Sequence, residues 1–583
     1  MTHTNPFLLA VLCTFSVFSQ TSFCPDDPPP NSFLAESPYP IFHRNSYAQS
    51  STCLPGPEGT DEIAIKTRTN ITGGTSPWIY FTDKYPDGQR AILYANMTHG
   101  FKFVDTDTGI VTVDSVQIDA DFTTAHFNFL QSRNKTWFVH DTRYQPRRNK
   151  YSLIHKIVDV NPNDPFSKIK IEKTYDFADI RINRVAFANI AYDGNIICTS
   201  DNDTDKGYAV AGVLTQDFRL LDTLHYALEP DEMNSHNSNP IDEHNNFYVL
   251  TNKRLICINW NGSNLSHAWS AWYDFVADGP KGKFAYGSGT TPTLMGWGEG
   301  NDKLIVMADG HAKNNLVAFW REIPQGWTPK PGMDPRFSDS IRIPKAESFS
   351  ELFQSIECSP AVLGYDVGIA QTNGFLRYNC TDHLDGVQKI TWDTAANRFE
   401  VSWVNDKVNM NSVLTVSSGS NMVYGSGMET DCYYYYYGLD WTTGETKLRK
   451  RLGPVDRTAL TLNNDTFFDG GDNNIIDEQG SIFYSGGSSL VKLSSEKSTG
   501  AVPQEIHQQA AHRFAARVEK NTLVLSGIAA RPETVRIVNL AGREFAHLAL
   551  VDRRVDISAL SRGMYLAEQV GLTGAHSVRF FKR

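Results

Sequence analysis

Short apolar runs separated by polar turns make up most of the chain. Residues 79–81, 91–95 and 304–307 are such runs, and Pro86-Asp87-Gly88 separates the first two. Runs of this length that are rich in β-branched and aromatic residues, with glycine in the turns between them, predict strands and hairpins. Helical periodicity is weak until residues 504–517, which fit a short helix or a linker. The pattern predicts an all-β protein.

One phrase in this series is repeated. Residues 359–364 read Ser-Pro-Ala-Val-Leu-Gly and residues 291–296 read Thr-Pro-Thr-Leu-Met-Gly, and each is followed by a second apolar run. A looser copy begins at Ser238. Every copy predicts a strand, a turn and a second strand, so the repeated unit is a hairpin. Residues 100–109 and 437–444 supply a further strand that ends in Asp and a Thr-Gly turn.

The combined pattern resembles the blade repeat of pyrroloquinoline-quinone-type β-propellers. Residues 40–45, Pro-Ile-Phe-His-Arg-Asn, are also similar to the Pro-x-Phe-His-x-Asp phrase that opens many of those propellers, with Asn45 where Asp is usual. The resemblance implies a β-propeller, and the usual repeat length gives about seven or eight blades. The copies are spaced more widely than a typical blade, which requires insertions. A two-sheet sandwich of similar hairpins is the alternative.

Composition excludes one class of partner. The chain has 583 residues, of which 40% are hydrophobic and 12% aromatic, and its net charge is -11. Nucleic-acid binding depends on clustered Lys and Arg that neutralise phosphates, and the body of the chain has no such basic run. We therefore expect no nucleic-acid partner.

The N-terminus predicts export. Residues 7–18 form an apolar core of twelve residues, which is too short to span a membrane but fits the central part of a signal peptide. No Lys or Arg precedes it, and a buried N-terminal strand is the alternative. We predict a signal peptide at 1–23, an extended segment at 24–37 and the propeller at 38–495. No other stretch is long and apolar enough for a transmembrane segment.

Eight cysteines are present, and one of them, Cys13, would leave with the signal peptide. Export permits disulfides, and none of the cysteines has the spacing of a zinc site. Two lie within apolar runs, Cys198 and Cys257, and are predicted to be buried thiols of strands. The candidate disulfides nearest in sequence are Cys24 with Cys53 and Cys358 with Cys380.

The C-terminal part carries three ordered segments. They are 534–543 with Asn539-x-x-Gly-Arg, 555–566 with Asp-Ile-Ser-x-Leu-x-x-Gly-Met-Tyr, and the basic end at 577–583. Together they resemble the C-terminal sorting domain of the type IX (Por) secretion system. The resemblance implies a small β-sandwich at 518–583 after a linker at 496–517, a bacterial source, and the type IX secretion machinery as a partner. An ordinary C-terminal β-sandwich for binding or stability is the alternative.

Candidate chemistry is sparse. The acidic stretches 201–207 and 469–477 resemble calcium loops, but each lacks a closing ligand and fits a solvated turn better. His236 and His244 flank Asp242 and Glu243, and polar turn residues explain this group better than a metal or acid–base cluster. We predict no metal site and assign no catalytic or cofactor-binding residue. A quinone is implied only by the propeller resemblance.

Two functional classes follow. We expect a secreted or cell-surface propeller that binds a protein or a glycan, without catalysis. The alternative is a secreted propeller enzyme, either a quinoprotein-like oxidoreductase or a hydrolase or lyase, with its site in the central channel. Carboxylates and histidines clustered at the channel would favour the enzyme, and an apolar or merely polar channel would favour the binding protein.

Overall fold

The described residues form 39 strands and one short 3-10 helix. In this computed structural model they are residues 23–59, 62–68, 79–95, 99–118, 129–140, 151–182, 185–200, 207–234, 238–273, 287–311, 313–344, 356, 358–370, 386–410, 412–454, 474–486 and 489–495, with the strands and short pieces between 515 and 582. The chain divides into two units, Met1–Lys497 and Ser498–Arg583.

The first four sheets of unit 1 are antiparallel meanders that follow one another along the chain. Blade 1 contains β3 (Ile79–Phe81), β4 (Ala91–Ala95), β5 (His99–Thr106) and β6 (Gly109–Gln117). Blade 2 contains β7 (Phe129–Ser132), β8 (Thr136–His140), β9 (Leu153–Asp159) and β10 (Ile169–Asp176), after which the 3-10 helix spans Phe177–Ile180. Blade 3 contains β11 (Val185–Ile190), β12 (Ile196–Ser200), β13 (Tyr208–Leu214) and β14 (Leu220–Ala227). Blade 4 contains β15 (Asn246–Leu250), β16 (Arg254–Trp260) and β17 (Leu265–Trp272), and Ile241 bridges to Phe247 at its inner edge.

The next four sheets continue the series and close it. Blade 5 contains β18 (Thr293–Met295), β19 (Leu304–Ala308), β20 (Asn315–Trp320) and β21 (Phe337–Arg342). Blade 6 contains β22 (Ala361–Leu363), β23 (Asp366–Ala370), β24 (Val387–Asp393) and β25 (Arg398–Asn405). Blade 7 contains β26 (Thr415–Ser417), β27 (Met422–Met428), β28 (Tyr433–Asp440) and β29 (Thr446–Pro454), with β1 (Ser51–Thr52) parallel to β26. Blade 8 contains β30 (Asn474–Ile476), β31 (Ile482–Gly486), β32 (Ser489–Ser495) and, outermost, β2 (Ile63–Arg68).

The predicted propeller is therefore confirmed, with eight blades, and the two-sheet sandwich is wrong for the body. The strand β2 pairs antiparallel with β32, from Ile63 opposite Ser495 to Arg68 opposite Leu490. This pairing joins the two ends of the propeller and completes the last blade with a strand from the start of the chain. A closed ring of blades leaves few strand edges available for unwanted pairing.

The repeated phrase occupies the same place in three successive blades. Residues 291–296 and 359–364 contain the innermost strands β18 and β22, and the copy at Ser238 leads into the inner edge of blade 4. The second apolar run of each copy is the second strand. The innermost strand β18 is buried throughout and β22 at all but its last residue, whereas the outermost strand β25 is buried only at Phe399 and Trp403. An apolar run without alternation is the pattern expected for a strand that is covered on both faces.

Trp260 of β16 and Trp392 of β24 tie their blades to the preceding blade. Trp260 Nε1 donates to Asp193 Oδ2 at 2.6 Å, and Trp392 Nε1 donates to Asp302 Oδ2 at 2.9 Å. Both rings are fully buried, so the indole N–H needs such a partner. The five tyrosines of residues 433–437 lie in β28, where all but the first are buried. They are therefore part of a sheet, as expected, and not a surface platform.

Unit 2 contains two sheets, which agrees with the predicted small sandwich. One sheet has the order β33 (Ala515–Glu519), β34 (Thr522–Ser526), β37 (Arg554–Asp556), and the other has the order β36 (Glu544–Ala549), β35 (Thr534–Asn539), β38 (Gly563–Gln569), β39 (His576–Lys582). The first strand begins three residues before the predicted boundary at 518. Most of the predicted linker at 496–517 lies outside the described residues. Among the residues that the structure describes, no helix is long and apolar enough to cross a membrane.

Candidate functional site

Residues 31–52, which we call the channel segment, do not form a blade. Between Ser37 and Thr52 every residue except Asn45 is buried. The segment lies at the end of the central channel where the first and second strands of each blade are joined, which we call the first-turn face. The predicted extended segment and the start of the predicted propeller thus form one structure at the mouth of the channel.

Main-chain and amide hydrogen bonds connect the channel segment to the innermost strands of seven blades. In order along the segment, the contacts are Asn31 Nδ2 to Ile190 O (2.7 Å, blade 3), a β-bridge of Leu34 with Ser132 (blade 2), Phe81 N to Tyr39 O (3.1 Å, blade 1), Ile241 N to Ser46 O (2.8 Å, blade 4), Leu294 N to Tyr47 O (2.9 Å, blade 5), Val362 N to Gln49 O (2.8 Å, blade 6) and Val416 N to Ser50 O (3.0 Å, blade 7). The segment therefore passes blades 3, 2 and 1, crosses the channel, and continues past blades 4 to 7.

His43 lies on this crossing. Its Nδ1 is 2.8 Å from Ser50 Oγ within the segment, and its Nε2 is 3.3 Å from Thr291 Oγ1 of the channel wall. Thr291 Oγ1 is also 2.7 Å from Ser238 Oγ, so the first residues of two repeat copies meet at this imidazole. Complete burial lowers the pKa of His43 to about 3. The ring is therefore neutral at physiological pH and links Ser50 to Thr291 by hydrogen bonds.

Four non-glycine residues of the channel segment are left-handed. The φ angles of His43, Arg44, Ala48 and Ser50 lie between 52° and 76°. This conformation costs about 1–2 kcal/mol per residue, so surrounding contacts must hold it in place. Asn45 helps, because its Oδ1 accepts the N–H groups of both Tyr47 and Gln49. Both Asp and Asn have a side-chain oxygen that can accept these backbone N–H groups, so either residue can stabilise the turn at this position.

One disulfide and one ion pair attach the channel segment to the residues that precede it. Cys24 and Cys53 form a disulfide across 29 residues, which confirms one of the predicted pairings. Arg44, with 3% of its side chain exposed, donates to both carboxylate oxygens of Asp27 at 2.6 Å. Cys24 N donates to the same carboxylate at 2.8 Å. Residues 25 and 26 are thus fixed on both sides.

The channel wall that the structure describes is polar but uncharged. None of the innermost strands β3, β7, β11, β18, β22, β26 and β30 contains a charged residue. Their buried polar side chains are hydroxyls and amides: Ser132, Asn189, Thr293, Thr415, Ser417 and Asn474. Such a wall lacks the carboxylates and histidines that would favour an enzyme.

The group around Asp242 is a structural turn. Asp242 accepts the backbone N–H of His244, the N–H of Asn246 and the hydroxyl of Tyr248, and Glu243 accepts the hydroxyl of Tyr47. These bonds occupy both carboxylates. His236 lies outside the described residues, so its predicted place beside them is untested.

Other sequence candidates have mixed outcomes. The stretch 201–206 and most of 469–477 lie outside the described residues. Cys198 and Cys257 are buried in β12 and β16, as predicted, and burial raises the pKa of Cys198 to about 12. Cys432 is disulfide-bonded. Cys358 is a buried thiol, so the predicted disulfide between Cys358 and Cys380 is wrong.

A cleft of about 450 Å³ lies on the first-turn face beside the channel segment. Trp297 and Asn301 line it from blade 5, Tyr365 from blade 6 and Ser418 from blade 7, while residues 25 and 26 form the opposite wall. Three successive blades and the disulfide loop therefore build it together. Its volume lies within the range of roughly 300–1,000 Å³ that small-molecule sites occupy.

Buried groups behind the cleft fix the orientation of Trp297. The ring of Tyr47 meets the indole edge-on, with ring centres 6.2 Å apart. Arg321 stacks over the same tyrosine at 4.8 Å and donates to Tyr47 Oη and to the carbonyl of Gly296. Gly296 has φ +75°, and a Cβ there would collide with the carbonyl of Asp302. The channel segment thus supports one wall of the cleft directly.

Sequence reasoning missed the cleft, although a signal for it exists. Trp297 follows the repeated phrase 291–296, and Tyr365 follows its copy at 359–364. The two aromatic residues occupy the same position of the repeat, so the propeller geometry places them on the same face of adjacent blades. Aromatic residues at an equivalent turn position are the pattern that could have identified this surface.

Comparison with known proteins agrees with this architecture. No family model matches the sequence. An uncharacterized protein of Archaeoglobus fulgidus is 26% identical over 459 residues, which cover 74% of this chain and 83% of that protein. The crystal structure of quinohemoprotein alcohol dehydrogenase from Comamonas testosteroni is similar with a TM-score of 0.50 at 9% identity, over 78% of this chain and 80% of that one.

The body of the chain is a β-propeller whose fold is similar to that of quinohemoprotein alcohol dehydrogenase. A quinohemoprotein alcohol dehydrogenase from Pseudomonas putida HK5 is similar with a TM-score of 0.49 at 10% identity, over 80% of both chains. At these identities the likeness concerns the fold alone. A shared propeller does not transfer an activity, because function depends on the side chains of the site.

The described residues of this propeller do not fit a quinone site with a metal ion. A hard cation is held by carboxylate, carbonyl and amide oxygens, usually with more than one carboxylate. Among the described residues, no group of three or more His, Cys, Asp or Glu could hold a metal ion. The uncharged innermost strands provide no such ligands in the part of the channel wall that is described. We therefore derive no catalytic step through a quinone.

Proposed function

We propose that the protein is an exported quinoprotein-like propeller that binds a protein or a glycan and does not catalyse a reaction. The observation that carries this proposal is the channel segment, which hydrogen-bonds to seven innermost strands and crosses the channel. It occupies one mouth of the channel with largely buried structure, in which the buried charge of Arg44 is paired with Asp27. The preformed cleft beside it supplies a binding surface.

The disulfide between Cys24 and Cys53 supports export. Structural disulfides form in oxidising compartments and are rare in the cytosol. Cys24 directly follows the predicted signal peptide at 1–23, so removal of the signal would leave the disulfide intact. On this proposal the mature chain starts at Cys24 and the protein folds after it crosses the inner membrane.

The C-terminal unit supports an address for type IX secretion. The positions that carry the resemblance fall at strand ends: Asn539 ends β35, Asp556 ends β37 and Gly563 begins β38. The basic end of the chain lies in β39, which pairs with β38. We propose that the secretion machinery reads this unit and that the protein is released or displayed at the cell surface.

Export is tested by expressing the full chain and a chain that ends at residue 517 in a bacterium with a type IX system. We expect the full chain outside the cell and the truncated chain in the periplasm, since the address has been removed. A chain that ends at residue 582 serves as a control for small losses at the end. Extracellular truncated chain would contradict the sorting role.

Binding without catalysis is tested on protein purified from the culture medium. Elemental analysis and an absorption spectrum measure metal and quinone content, and pull-down from surface extracts followed by mass spectrometry measures ligands. We expect a captured protein or glycan without a stoichiometric quinone. A quinone band together with one metal ion per chain would instead favour the quinoprotein-like enzyme.

A further inference from the structure

We propose that the cleft on the first-turn face binds a neutral oligosaccharide, an assignment that rests on the proposed binding function and names its ligand class. The cleft combines aromatic faces from Trp297 and Tyr365 with polar side chains from Asn301, Ser418 and Asp26. Pockets of this kind use a few polar groups to orient a ligand whose remaining surface contacts rings.

The aromatic residues suit the C–H faces of a sugar ring. Trp297 is half-buried and held edge-on by Tyr47, so one face of its indole can meet a ligand without rearrangement. Tyr365 is fixed through its hydroxyl, which donates to Asp302 O at 2.8 Å. The electron-rich face of an aromatic ring attracts positively polarised C–H groups, which a pyranose presents on one side.

The polar groups offer both donors and acceptors. Asn301 Nδ2 donates to Trp297 O at 2.7 Å, which leaves its Oδ1 without a hydrogen bond to any described residue. Within the described part of the chain, the carboxylate of Asp26 and the indole N–H of Trp297 also make no hydrogen bond or ion pair. Sugar hydroxyls both donate and accept, so this mixed set matches them.

Charge decides between neutral and acidic sugars. The residues that line the cleft include one carboxylate and no Lys or Arg. A phosphate, a sulfate or an acidic sugar would meet Asp26 without a compensating cation, and like charges placed together are unfavourable. The ligand is therefore a neutral oligosaccharide.

The disulfide loop couples this site to maturation. Asp26 lies between Cys24, which is bonded to Cys53, and Asp27, which is paired with Arg44. When the disulfide is absent, the wall that carries Asp26 loses one of its two anchors. We expect the oxidised chain to bind the sugar more tightly than the reduced chain.

The test uses the oxidised chain of residues 24–583 on an array of neutral, acidic and amino sugars, followed by calorimetry with the best neutral oligosaccharide. Trp297→Ala should weaken binding at least about tenfold, and Trp297→Phe, which keeps a ring, should retain most of the affinity. Trp272→Ala is the matched control, since Trp272 is 47% exposed on the outermost strand of blade 4 and should not affect binding. Thermal melts show whether each variant is folded.

Three results would overturn the sugar assignment: binding of acidic or cationic ligands alone, no binding of any neutral glycan, or a neutral glycan whose affinity is unchanged in Trp297→Ala. A protein ligand that the wild-type chain and Trp297→Ala both capture would refute the sugar site while leaving the proposed binding function in place. The failure of both proposals would appear as no captured ligand of any class.

Discussion

Removal of the disulfide should release the channel segment selectively. The perturbation is the double substitution Cys24→Ser with Cys53→Ser. The disulfide closes a loop across 29 residues, and the chain-entropy relation for a loop of this size gives about 3.5 kcal/mol of stabilisation. Because the loop stays closed when the segment detaches, the disulfide lowers the entropy of the detached state. Its loss should therefore favour detachment by about that amount.

Tryptic cleavage after Arg44 measures the detachment. Arg44 is 3% exposed in the closed state, so cleavage there requires the segment to open first. When opening and closing are fast compared with cleavage, the rate follows the open population. A change of about 3.5 kcal/mol then raises the cleavage rate roughly 400-fold. Mass spectrometry of the peptides identifies this bond among other tryptic sites.

The variant Cys257→Ala is the matched control. Cys257 is buried in β16 in the same apolar cluster as Tyr47 of the channel segment, so Cys257→Ala weakens packing beside the segment while the disulfide stays in place. It should accelerate cleavage after Arg44 far less than loss of the disulfide does. The reasoning is refuted if the double variant is cleaved after Arg44 less than about tenfold faster than the wild type. It is also refuted if Cys257→Ala accelerates cleavage at Arg44 equally.

Three further substitutions test other parts of the account. Arg44→Met leaves the carboxylate of Asp27 unpaired and should lower the free energy of unfolding in urea by about 3 kcal/mol. The double variant Arg44→Met with Asp27→Asn should recover most of that stability. Equal losses in the two variants would contradict the role of the ion pair. Burial raises the pKa of Asp477 to about 7, so the free energy of unfolding of the wild type should fall by at most about 4 kcal/mol as the pH rises from 4 to 7. In thermal unfolding at each pH, Asp477→Asn should not show this fall. Parallel pH profiles of the two proteins would contradict the prediction. Gly296→Ala should lower the melting temperature much more than Gly364→Ala. Both glycines have positive φ, but only a Cβ at Gly296 would collide with backbone atoms. Similar decreases in melting temperature would contradict the close packing behind the cleft.

The propeller could be predicted because its signal is local. Apolar runs without alternation, with a turn at a fixed place, define the two inner strands of each blade, and the three repeat copies fall in equivalent positions of blades 4, 5 and 6. The sequence predicted the number of blades only to within one, because insertions such as the one between Trp320 and Phe337 change the spacing of the repeats.

The channel segment could not be predicted in the same way. Its contacts use backbone carbonyls, such as Tyr47 O with Leu294 N, and these carry no side-chain pattern in the sequence. Most of the partners, such as Tyr47 with Leu294 and Ser50 with Val416, are also far apart in the sequence, so only the closed ring brings them together. The sequence at 40–45 indicated this region only through its resemblance to the phrase that opens many propellers. The structure shows why a short acceptor side chain suits position 45, since Asn45 accepts two backbone N–H groups.

The most direct test of the account is hydrogen exchange at four backbone amides, those of Ile241, Leu294, Val362 and Val416. Each donates to a carbonyl of the channel segment at 2.8–3.0 Å. We predict that they exchange slowly in the oxidised protein and become faster together in the variant without the Cys24–Cys53 disulfide, because one segment protects all four. Rapid exchange in the oxidised protein, or protection that does not depend on the disulfide, would contradict closure of the channel by the N-terminal segment.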